Sequence, residues 1–191
     1  GYTRQTINNF ELVIADDGSD ELTKNEIQRF QQSYPDIPIQ HVWHPDEGFR
    51  RTVITNLAAK QSKGFYLIIS DGDCIPAPDF VETHWKSRKK GTFCNGRRLI
   101  LSDSDSWNMG EEDVLSGKFL SLKIDESLHD IRFRHYKSFW YRLIGRQSRL
   151  RLMAANLSLF KEDMLAVNGF DERFKGWGTA DEDLCRRLFR N

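Results

Sequence analysis

Two acidic segments of this 191-residue chain have the residue types and spacing for chemistry, and the first is Asp71-Gly72-Asp73. One glycine separates the two aspartates, so both carboxylates can point toward one place. Carboxylate oxygens are hard ligands that suit Mg²⁺ or Mn²⁺, ions that commonly take substrate phosphates as further ligands. Asp-Gly is also a common turn. The motif gains specificity because a five-residue apolar run, residues 65–69, comes directly before it.

The second acidic segment lies near the C-terminus, where residues 176–183 have the sequence GWGTADED. Trp177 stands between two glycines and offers a flat apolar face of the kind that sugar rings stack on. Asp181, Glu182 and Asp183 repel one another unless a cation, a helix N-terminus or a reacting proton compensates. Two interpretations are open for the acids, the first turn of a helix or an active site. Trp177 is equally compatible with core packing and with a sugar platform.

The elements that must position these acids alternate between strands and helices. Apolar runs at residues 10–15, 39–43 and 65–69 predict strands, and helical spacing of apolar residues predicts helices near 27–34 and 53–58. This alternation predicts an α/β domain with a largely parallel sheet. Ligands of such sheets gather beyond the carboxyl ends of the strands. We therefore expect Asp16-Asp17, after the first run, to lie near Asp71-Gly72-Asp73.

The pattern changes in the second half of the chain. It predicts a strand at 93–101, helices near 114–122 and 136–144, a strand at 155–160 and a short helix at 164–167. We find no internal repeat and no linker, so we expect one domain over residues 1–191.

Composition limits the classes of partner and compartment. Lys plus Arg and Asp plus Glu number 28 each, so no overall field favours nucleic acid. Three cysteines without a CxxC motif argue against a zinc site or a disulfide framework, and we expect a cytoplasmic protein. The basic, aromatic segment 132–151 favours a solvated helix face. It leaves open a peripheral association with the inner face of a membrane.

Four blocks, in order, resemble nucleotide-sugar glycosyltransferases of the GT-A fold, close to glycosyltransferase family 2. They are FELVIADDGS (10–19), residues 48–56 leading into YLIISDGDCIPAPDF (66–80), ANLSLF (155–160) and GFDERFKGWGTADEDLCRRL (169–188). The last block also resembles beta-1,4-galactosyltransferases and bacterial chondroitin-type polymerases.

The resemblance implies a mixed, mostly parallel central sheet flanked by helices. Nucleotide binding would fall to about residues 1–100, and acceptor binding and catalysis to about residues 101–191. The family's first strand has no counterpart in the sequence, so we expect a sheet that lacks it and a chain that is a fragment of a longer one.

The resemblance also implies roles for the acids. Asp16 and Asp17 match residues that bind the uracil and ribose of a UDP-sugar, although a helix cap is an alternative for them. Asp71 and Asp73 match the metal-binding motif, with Asp73 as the direct ligand and Asp71 also part of the nucleotide-sugar site. Asp181 matches the catalytic base of inverting members.

Further roles concern the sugar and the acceptor. Trp177 and Gly178 match the segment that flanks donor sugar and acceptor, and Trp177 and Glu182 are the acceptor-binding candidates. Asn156 is expected either to orient a loop near the donor or to be a buried structural residue.

Two positions depart from the family pattern, and the third metal ligand is left open. Ala180 stands where many relatives have Glu, a role that Glu182 could take over. Thr55 stands where relatives often have a basic residue, which leaves Arg50 or Arg51 to contact the diphosphate. The internal histidines that could supply a third metal ligand, none of them favoured, are His84, His129 and His135.

We therefore expect a metal-dependent inverting glycosyltransferase. It would use Mn²⁺ or Mg²⁺ to move a hexose or N-acetylhexosamine from a UDP-sugar to a glycan or lipid-linked glycan, in bacterial polysaccharide or lipopolysaccharide synthesis. The alternative is a non-catalytic sugar- or nucleotide-binding module derived from such an enzyme. A nucleotidyltransferase is disfavoured, because the start of the sequence has no glycine-rich phosphate loop.

Overall fold

The computed structural model describes residues 1–122, 153–176 and 178–190. Strands and helices alternate through the first half, as the apolar pattern predicts. In chain order the elements are β1 Leu12–Asp16, α1 Glu21–Ser33, β2 Ile39–Trp43, α2 Arg51–Gln61, β3 Tyr66–Ser70, α3 Phe80–Ser87, β4 Cys94–Asn95, α4 Asp103–Asn108, α5 Glu111–Ser116, β5 Asn156–Phe160, α6 Lys161–Ala166 and α7 Ala180–Arg190. Short 3₁₀ turns span Tyr2–Arg4 and Lys118–Ser121.

The strands form two sheets, which confirms the α/β class. β1 and β2 are parallel, with Asp16 opposite Trp43 at their carboxyl ends. β5 lies between β3 and β4 and is antiparallel to both, with Tyr66 opposite Phe160. The strands are thus mixed in direction, and parallel pairing in the described part of the chain is confined to β1 and β2.

A cavity of about 590 Å³ separates the two sheets along the edges of β1 and β3. Its lining includes residues 12–15 of β1 and 66–70 of β3. The residues of β3 are only half-buried, although Leu67, Ile68 and Ile69 form a continuous apolar run. The edges of β1 and β3 that face this cavity have no strand partner among the described residues. This is the arrangement expected for a sheet that lacks the family's first strand.

Two apolar clusters fix helix α7, which carries Asp181, and helix α2, which begins at Arg51. In the larger cluster, Leu157 and Leu159 of β5 and Leu184 of α7 are fully buried, at 0% exposure. In the smaller cluster, Val42 of β2 packs with Ile54 of α2. Helix α7 is therefore anchored to the antiparallel sheet and helix α2 to the parallel one.

The predicted strand at 93–101 is wrong beyond Asn95. The Asn95 side chain donates to the carbonyls of Met153 and Asn156, and the Asn156 side chain donates to the carbonyl of Arg97. Side-chain bonds thus replace the ladder where the strand was expected to continue. Gly96 packs so tightly against Asn156 that an added Cβ would lie 2.4 Å from its side chain.

The helix predicted near 114–122 is divided at Gly117, whose left-handed backbone (φ 81°) ends α5 before a 3₁₀ turn begins. The helix predicted near 136–144 and the basic, aromatic segment 132–151 lie outside the described residues. In the described ranges, the helices are all too short or too polar to cross a bilayer.

Candidate functional site

The N-terminus of α2 is the point where the acidic segments meet. The backbone N–H of Arg50 donates to Asp17 Oδ2 at 2.7 Å. The Arg51 guanidinium donates to Asp181 Oδ1 at 2.9 Å and lies 3.9 Å from Asp71 Oδ1. Residues 130 positions apart are thereby joined, and the expectation that the acidic loops lie close together is confirmed.

Asp16, the last residue of β1, and Asp17, which follows it, are each hydrogen-bonded to a histidine. Asp16 is buried, and its oxygens accept from Ser19 N at 2.8 Å and pair with His41 Nε2 at 2.7 Å. Asp17 keeps 24% of its side chain exposed and pairs with His44 Nε2 at 2.6 Å. Asp17 is therefore the more accessible acid, and Asp16 fixes the loop that presents it.

The helix cap that the sequence left open for these two acids belongs to another residue. Asp20 is the N-cap of α1 and accepts from the backbone N–H groups of Leu22 and Thr23. Neither Asp16 nor Asp17 takes part in that cap.

The pKa of Asp16 lies below its ordinary value. Burial acts to raise it, but hydrogen bonds from the Ser19 side chain and backbone, together with His41, outweigh burial and lower it. The carboxylate is thus kept ionised inside the loop.

Asp71-Gly72-Asp73 follows β3 and offers an oxygen-rich cluster. Ligand atoms of Asp71, Asp73 and Cys74 lie within 4.8 Å of one another. Asp73 is exposed, and the side chain of Asp71 is 29% exposed. Two carboxylates at this spacing fit a hard divalent cation such as Mg²⁺ or Mn²⁺.

Cys74 does not suit such a cation. Burial, then the nearby charges of Asp73 and Asp71, raise the pKa of its thiol. The group stays protonated near neutral pH, and a thiolate would favour softer metals. We assign the cation-binding capacity to the two aspartates.

Asp71 is neutralised by a second guanidinium besides Arg51. Arg98 Nη1 donates to Asp71 Oδ2 at 3.2 Å. Arg98 comes from the segment after β4, which Asn156 orients through its bond to the Arg97 carbonyl. Asn156 is thus partly buried rather than buried, and it orients the segment that carries Arg98, whereas its position near a donor stays a prediction.

Asp181 stands in the first turn of α7 with both oxygens bonded. Oδ2 accepts from the backbone N–H of Ala154 at 3.0 Å, and Oδ1 accepts from Arg51. Its side chain is 24% exposed. The carboxylate is therefore oriented by backbone on one side, while a flexible side chain holds the other.

The segment before α7 is tied down to α2. Asn56 donates to the carbonyl of Phe170 and accepts from its N–H, both at 2.8 Å. An added Cβ on Gly169 would lie 2.3 Å from Asn56 Oδ1, so this close approach requires glycine. These contacts place the start of α7 beside Arg51.

The remaining acids of the C-terminal segment divide into different roles. Glu182 lies 3.9 Å from Arg186, one turn along α7, and keeps 47% of its side chain exposed. Asp183 pairs with Arg187, which also reaches the carbonyls of Val167 and Gly169. Asp183 is thus a structural helix acid, while Glu182 remains accessible.

Of the two residues expected to flank the donor sugar and acceptor, the structure describes Gly178 but not Trp177. Gly178 is exposed and has a φ of 147°, which is unfavourable for residues with a Cβ. Trp177 lies outside the described residues, so its role stays a prediction.

The histidine candidates for a third metal ligand find no support among the described residues. His84 is buried and bonded to Ser158 Oγ at 2.6 Å and Asn156 Oδ1 at 2.8 Å, away from the aspartate cluster's ligand set. His129 and His135 fall outside the described ranges.

His41, His44 and Arg98 were not among the site residues expected from the sequence. The strand pattern contains a signal for His41. His41 lies two residues before Trp43, which pairs with Asp16, so the side chains of His41 and Trp43 share one face of the sheet. Arg98 lacks such a signal, since its segment was expected to be a strand.

Comparison with known proteins gives family matches along the chain. The family model described as glycosyl transferase family 2 matches residues 2–144, and the model described as N-terminal domain of galactosyltransferase matches residues 134–191.

Curated relatives share about a quarter of the residues. The chain is 26% identical over 204 residues to a chondroitin synthase of Escherichia coli, covering 98% of this chain and 29% of that protein. It is 26% identical to a hyaluronan synthase of Pasteurella multocida, in an alignment that covers 95% of this chain and 20% of that protein. It is 24% identical to a validoxylamine A glucosyltransferase of Streptomyces hygroscopicus subsp. jinggangensis, covering 97% and 46%. The chain thus spans less than half the length of these relatives.

Proposed function

Because the chain belongs to glycosyl transferase family 2, we propose that it is a metal-dependent inverting glycosyltransferase. It moves a hexose or N-acetylhexosamine from a UDP-sugar to a hydroxyl of a glycan or lipid-linked glycan. The observation that carries the proposal is the meeting of Asp17, Asp71 and Asp181 at the N-terminus of α2. A helix N-terminus with basic side chains favours the anionic diphosphate of such a donor.

The loop after β1 binds the nucleoside in this proposal. Asp17 is the carboxylate with exposed surface, and it accepts hydrogen bonds from the uracil or ribose. Asp16 contributes indirectly, because its hydrogen bonds with Ser19 and His41 fix the conformation of the loop that contains Asp17.

Asp71 and Asp73 hold the divalent cation. Bound there, Mn²⁺ or Mg²⁺ supplies neutralisation of the charge that develops on the departing diphosphate. The exposure of Asp73 and the spacing of the ligand atoms support this assignment.

Asp181 acts as the general base. It takes the proton from the acceptor hydroxyl while that oxygen attacks the anomeric carbon in line with the departing UDP. The C–O bond to UDP breaks as the new glycosidic bond forms, so configuration inverts without a covalent enzyme intermediate. The N–H of Ala154 keeps the carboxylate aimed during this step.

The acceptor binds beside the start of α7, where Trp177, Gly178 and Glu182 are the contacting residues that we propose. Chondroitin and hyaluronan synthases among the relatives support a role in bacterial polysaccharide or lipopolysaccharide synthesis. Transfer would then take place in the cytoplasm, with association at the inner membrane face part of the same proposal.

Thermal denaturation with ligands tests the donor site. UDP together with Mn²⁺ is expected to raise the melting temperature, because a ligand that binds only the folded state stabilises it. Asp73→Ala abolishes the shift, whereas Asp36→Ala, at an exposed acid between α1 and β2, leaves it intact. Absence of a shift with any nucleoside diphosphate and metal contradicts the proposal.

A binding module without transferase activity is the second candidate, and one observation favours it. Both oxygens of Asp181 are already bonded within the protein. Donor hydrolysis separates the two functions. A competent transferase releases UDP slowly from its own donor among UDP-Gal, UDP-GalNAc, UDP-Glc and UDP-GlcNAc, and a binding module releases none.

A further inference from the structure

We infer that Arg51 and Arg98 are exchangeable cations of the donor site: they pair with the acids when no donor is bound and with the donor diphosphate when it binds. This inference rests on the proposed function. It concerns two residues that form ion pairs with Asp71 and, in the case of Arg51, with Asp181.

The geometry places a guanidinium on each side of Asp71. Arg51 Nη1 lies 3.9 Å from Asp71 Oδ1, and Arg98 Nη1 donates to Oδ2 at 3.2 Å. The two arginine side chains are 33% and 34% exposed, so both face solvent that a ligand can replace. Asp71 is thus neutralised at both oxygens by groups that compete with a metal ion for it.

The charges explain why the pairing must change on donor binding. Asp71, Asp73 and Asp181 carry more negative charge than Arg51 and Arg98 offset. A divalent cation added alone brings positive charge beside two guanidinium groups and is opposed by them. A diphosphate added with the cation cancels that charge and accepts hydrogen bonds from both arginines. The arginines therefore disfavour metal alone and favour metal with diphosphate.

The chemistry of the side chain suits this exchange. Guanidinium groups are always charged and bind phosphate oxygens in a bidentate fork. Arg51 starts at the first residue of α2, and its guanidinium lies 5.7 Å from the centre of the Phe170 ring. It is therefore supported on one side while its donors stay free to change partner.

The exchange has a consequence for the proposed base. While Arg51 is bonded to Asp181 Oδ1, it occupies one of the two lone pairs of that oxygen and competes with an acceptor hydroxyl for it. When Arg51 donates to the diphosphate instead, Oδ1 is released and Oδ2 stays on Ala154 N. Donor binding thereby prepares the acceptor site, so donor binds before acceptor.

The test measures Mn²⁺ binding by electron paramagnetic resonance, with and without UDP, in the 191-residue chain. For Arg51→Met we expect Mn²⁺ alone to bind more tightly, by about threefold, because a competing ion pair is gone. UDP in the presence of saturating Mn²⁺ is expected to bind about 10- to 100-fold more weakly, because charge-assisted hydrogen bonds are lost. Arg98→Met provides an independent second arm with the same two signs.

Two controls accompany these variants. Arg29→Met removes an equal charge from α1, where its partners are Glu26 and Glu111, and is expected to change neither affinity. Arg51→Lys keeps the positive charge but loses the fork, so Mn²⁺ binding stays at the wild-type value while UDP binding is only partly restored.

Opposite signs for metal alone and for metal with UDP support the inference. Changes of the same sign in both arginine variants overturn it, since a structural role would weaken both equilibria together. Wild-type protein that binds no UDP with Mn²⁺ contradicts the proposed function itself. Wild-type binding with unaltered arginine variants contradicts only the exchange.

Discussion

Two aspartates stand at the end of β1 and two follow β3, but the two pairs of aspartates are bonded to different kinds of residue. Asp16 and Asp17 are paired with His41 and His44, and Asp16 is buried. Asp71 is paired with two arginines, and its neighbour Asp73 is exposed to solvent.

The difference indicates that buried Asp16 has a structural role, whereas Asp71 and Asp73 are accessible to a ligand. Histidine can be neutral, so its bond to buried Asp16 does not require a second buried charge. Arginine is always charged, and pairing it with half-exposed Asp71 leaves a charge available for an incoming anion. The first loop is therefore a fixed support, while the second is prepared to change partners.

The largest expected effect follows from the acid that shares Arg51 with Asp71. Asp181→Asn keeps the size of the side chain but cannot accept the acceptor proton. We expect transfer to fall by about 10²- to 10⁴-fold. Binding of UDP and Mn²⁺, measured by thermal shift, stays intact. The measurement is UDP release in the presence of donor and acceptor.

Asp183→Asn is the matched control, two residues along α7. Asp183 pairs with Arg187 and lies in the structural part of the helix, so transfer is expected at the wild-type level. A joint loss of transfer and of UDP binding in Asp181→Asn would mean that Asp181 is structural, like Asp16.

The second prediction compares the stability that each loop contributes. Asp16→Asn removes charge-assisted bonds with His41 and Ser19 from a buried position. We expect it to lower the free energy of unfolding by about 1–3 kcal/mol. Asp71→Asn changes a half-exposed ion pair and is expected to cost less than about 1 kcal/mol.

Urea denaturation of both variants measures these costs. Asp71→Asn is also expected to lose the Mn²⁺-dependent response to UDP, because a cation ligand is gone. Equal losses of unfolding free energy in Asp16→Asn and Asp71→Asn would contradict the distinction between a structural Asp16 and an exchangeable Asp71.

The sequence predicts the elements that depend on local pattern. The apolar runs at 10–15 and 65–69 match β1 and β3 within two residues at each end, because a short apolar run before an acidic turn is typical of a buried strand. The acidic loops follow from those strands. Chain order was therefore enough to expect Asp16 and Asp71 in one region.

The partners of the acids depend on contacts distant in sequence. The Asn156 side chain donates to the carbonyl of Arg97, a residue 59 positions earlier in the chain. This bond accompanies the end of β4 and positions the neighbouring Arg98 to reach Asp71. Arg51 and Asp181 are separated by 130 residues. Neither contact leaves a periodic signal, so the pairing of these arginines with Asp71 and Asp181 could not be predicted from the sequence, although Arg51 was a candidate for contacting the diphosphate.

The smallest effect concerns acid. Burial acts to raise the pKa of Asp16, but bonds from Ser19 and His41 lower it below 3.8, its ordinary value. The unfolded chain therefore binds this proton more readily than the folded one. Asp16 contributes stability above the ordinary value, and this contribution is lost as pH falls through the lowered folded value. We expect the free energy of unfolding of Asp16→Asn to fall less steeply than that of the wild type below about pH 4.

His41→Gln tests the assignment of this acid response to the histidine-paired loop. It removes one of the bonds that lower the pKa of Asp16, so the Asp16 contribution becomes smaller and the acid loss shallower. In the Asp16→Asn background the same substitution has no carboxylate to act on and is expected to leave the acid slope unchanged. The measurement is urea denaturation of the four proteins at several acidic pH values. An equal change of slope in both backgrounds would show that His41 acts elsewhere and not through its hydrogen bond to Asp16.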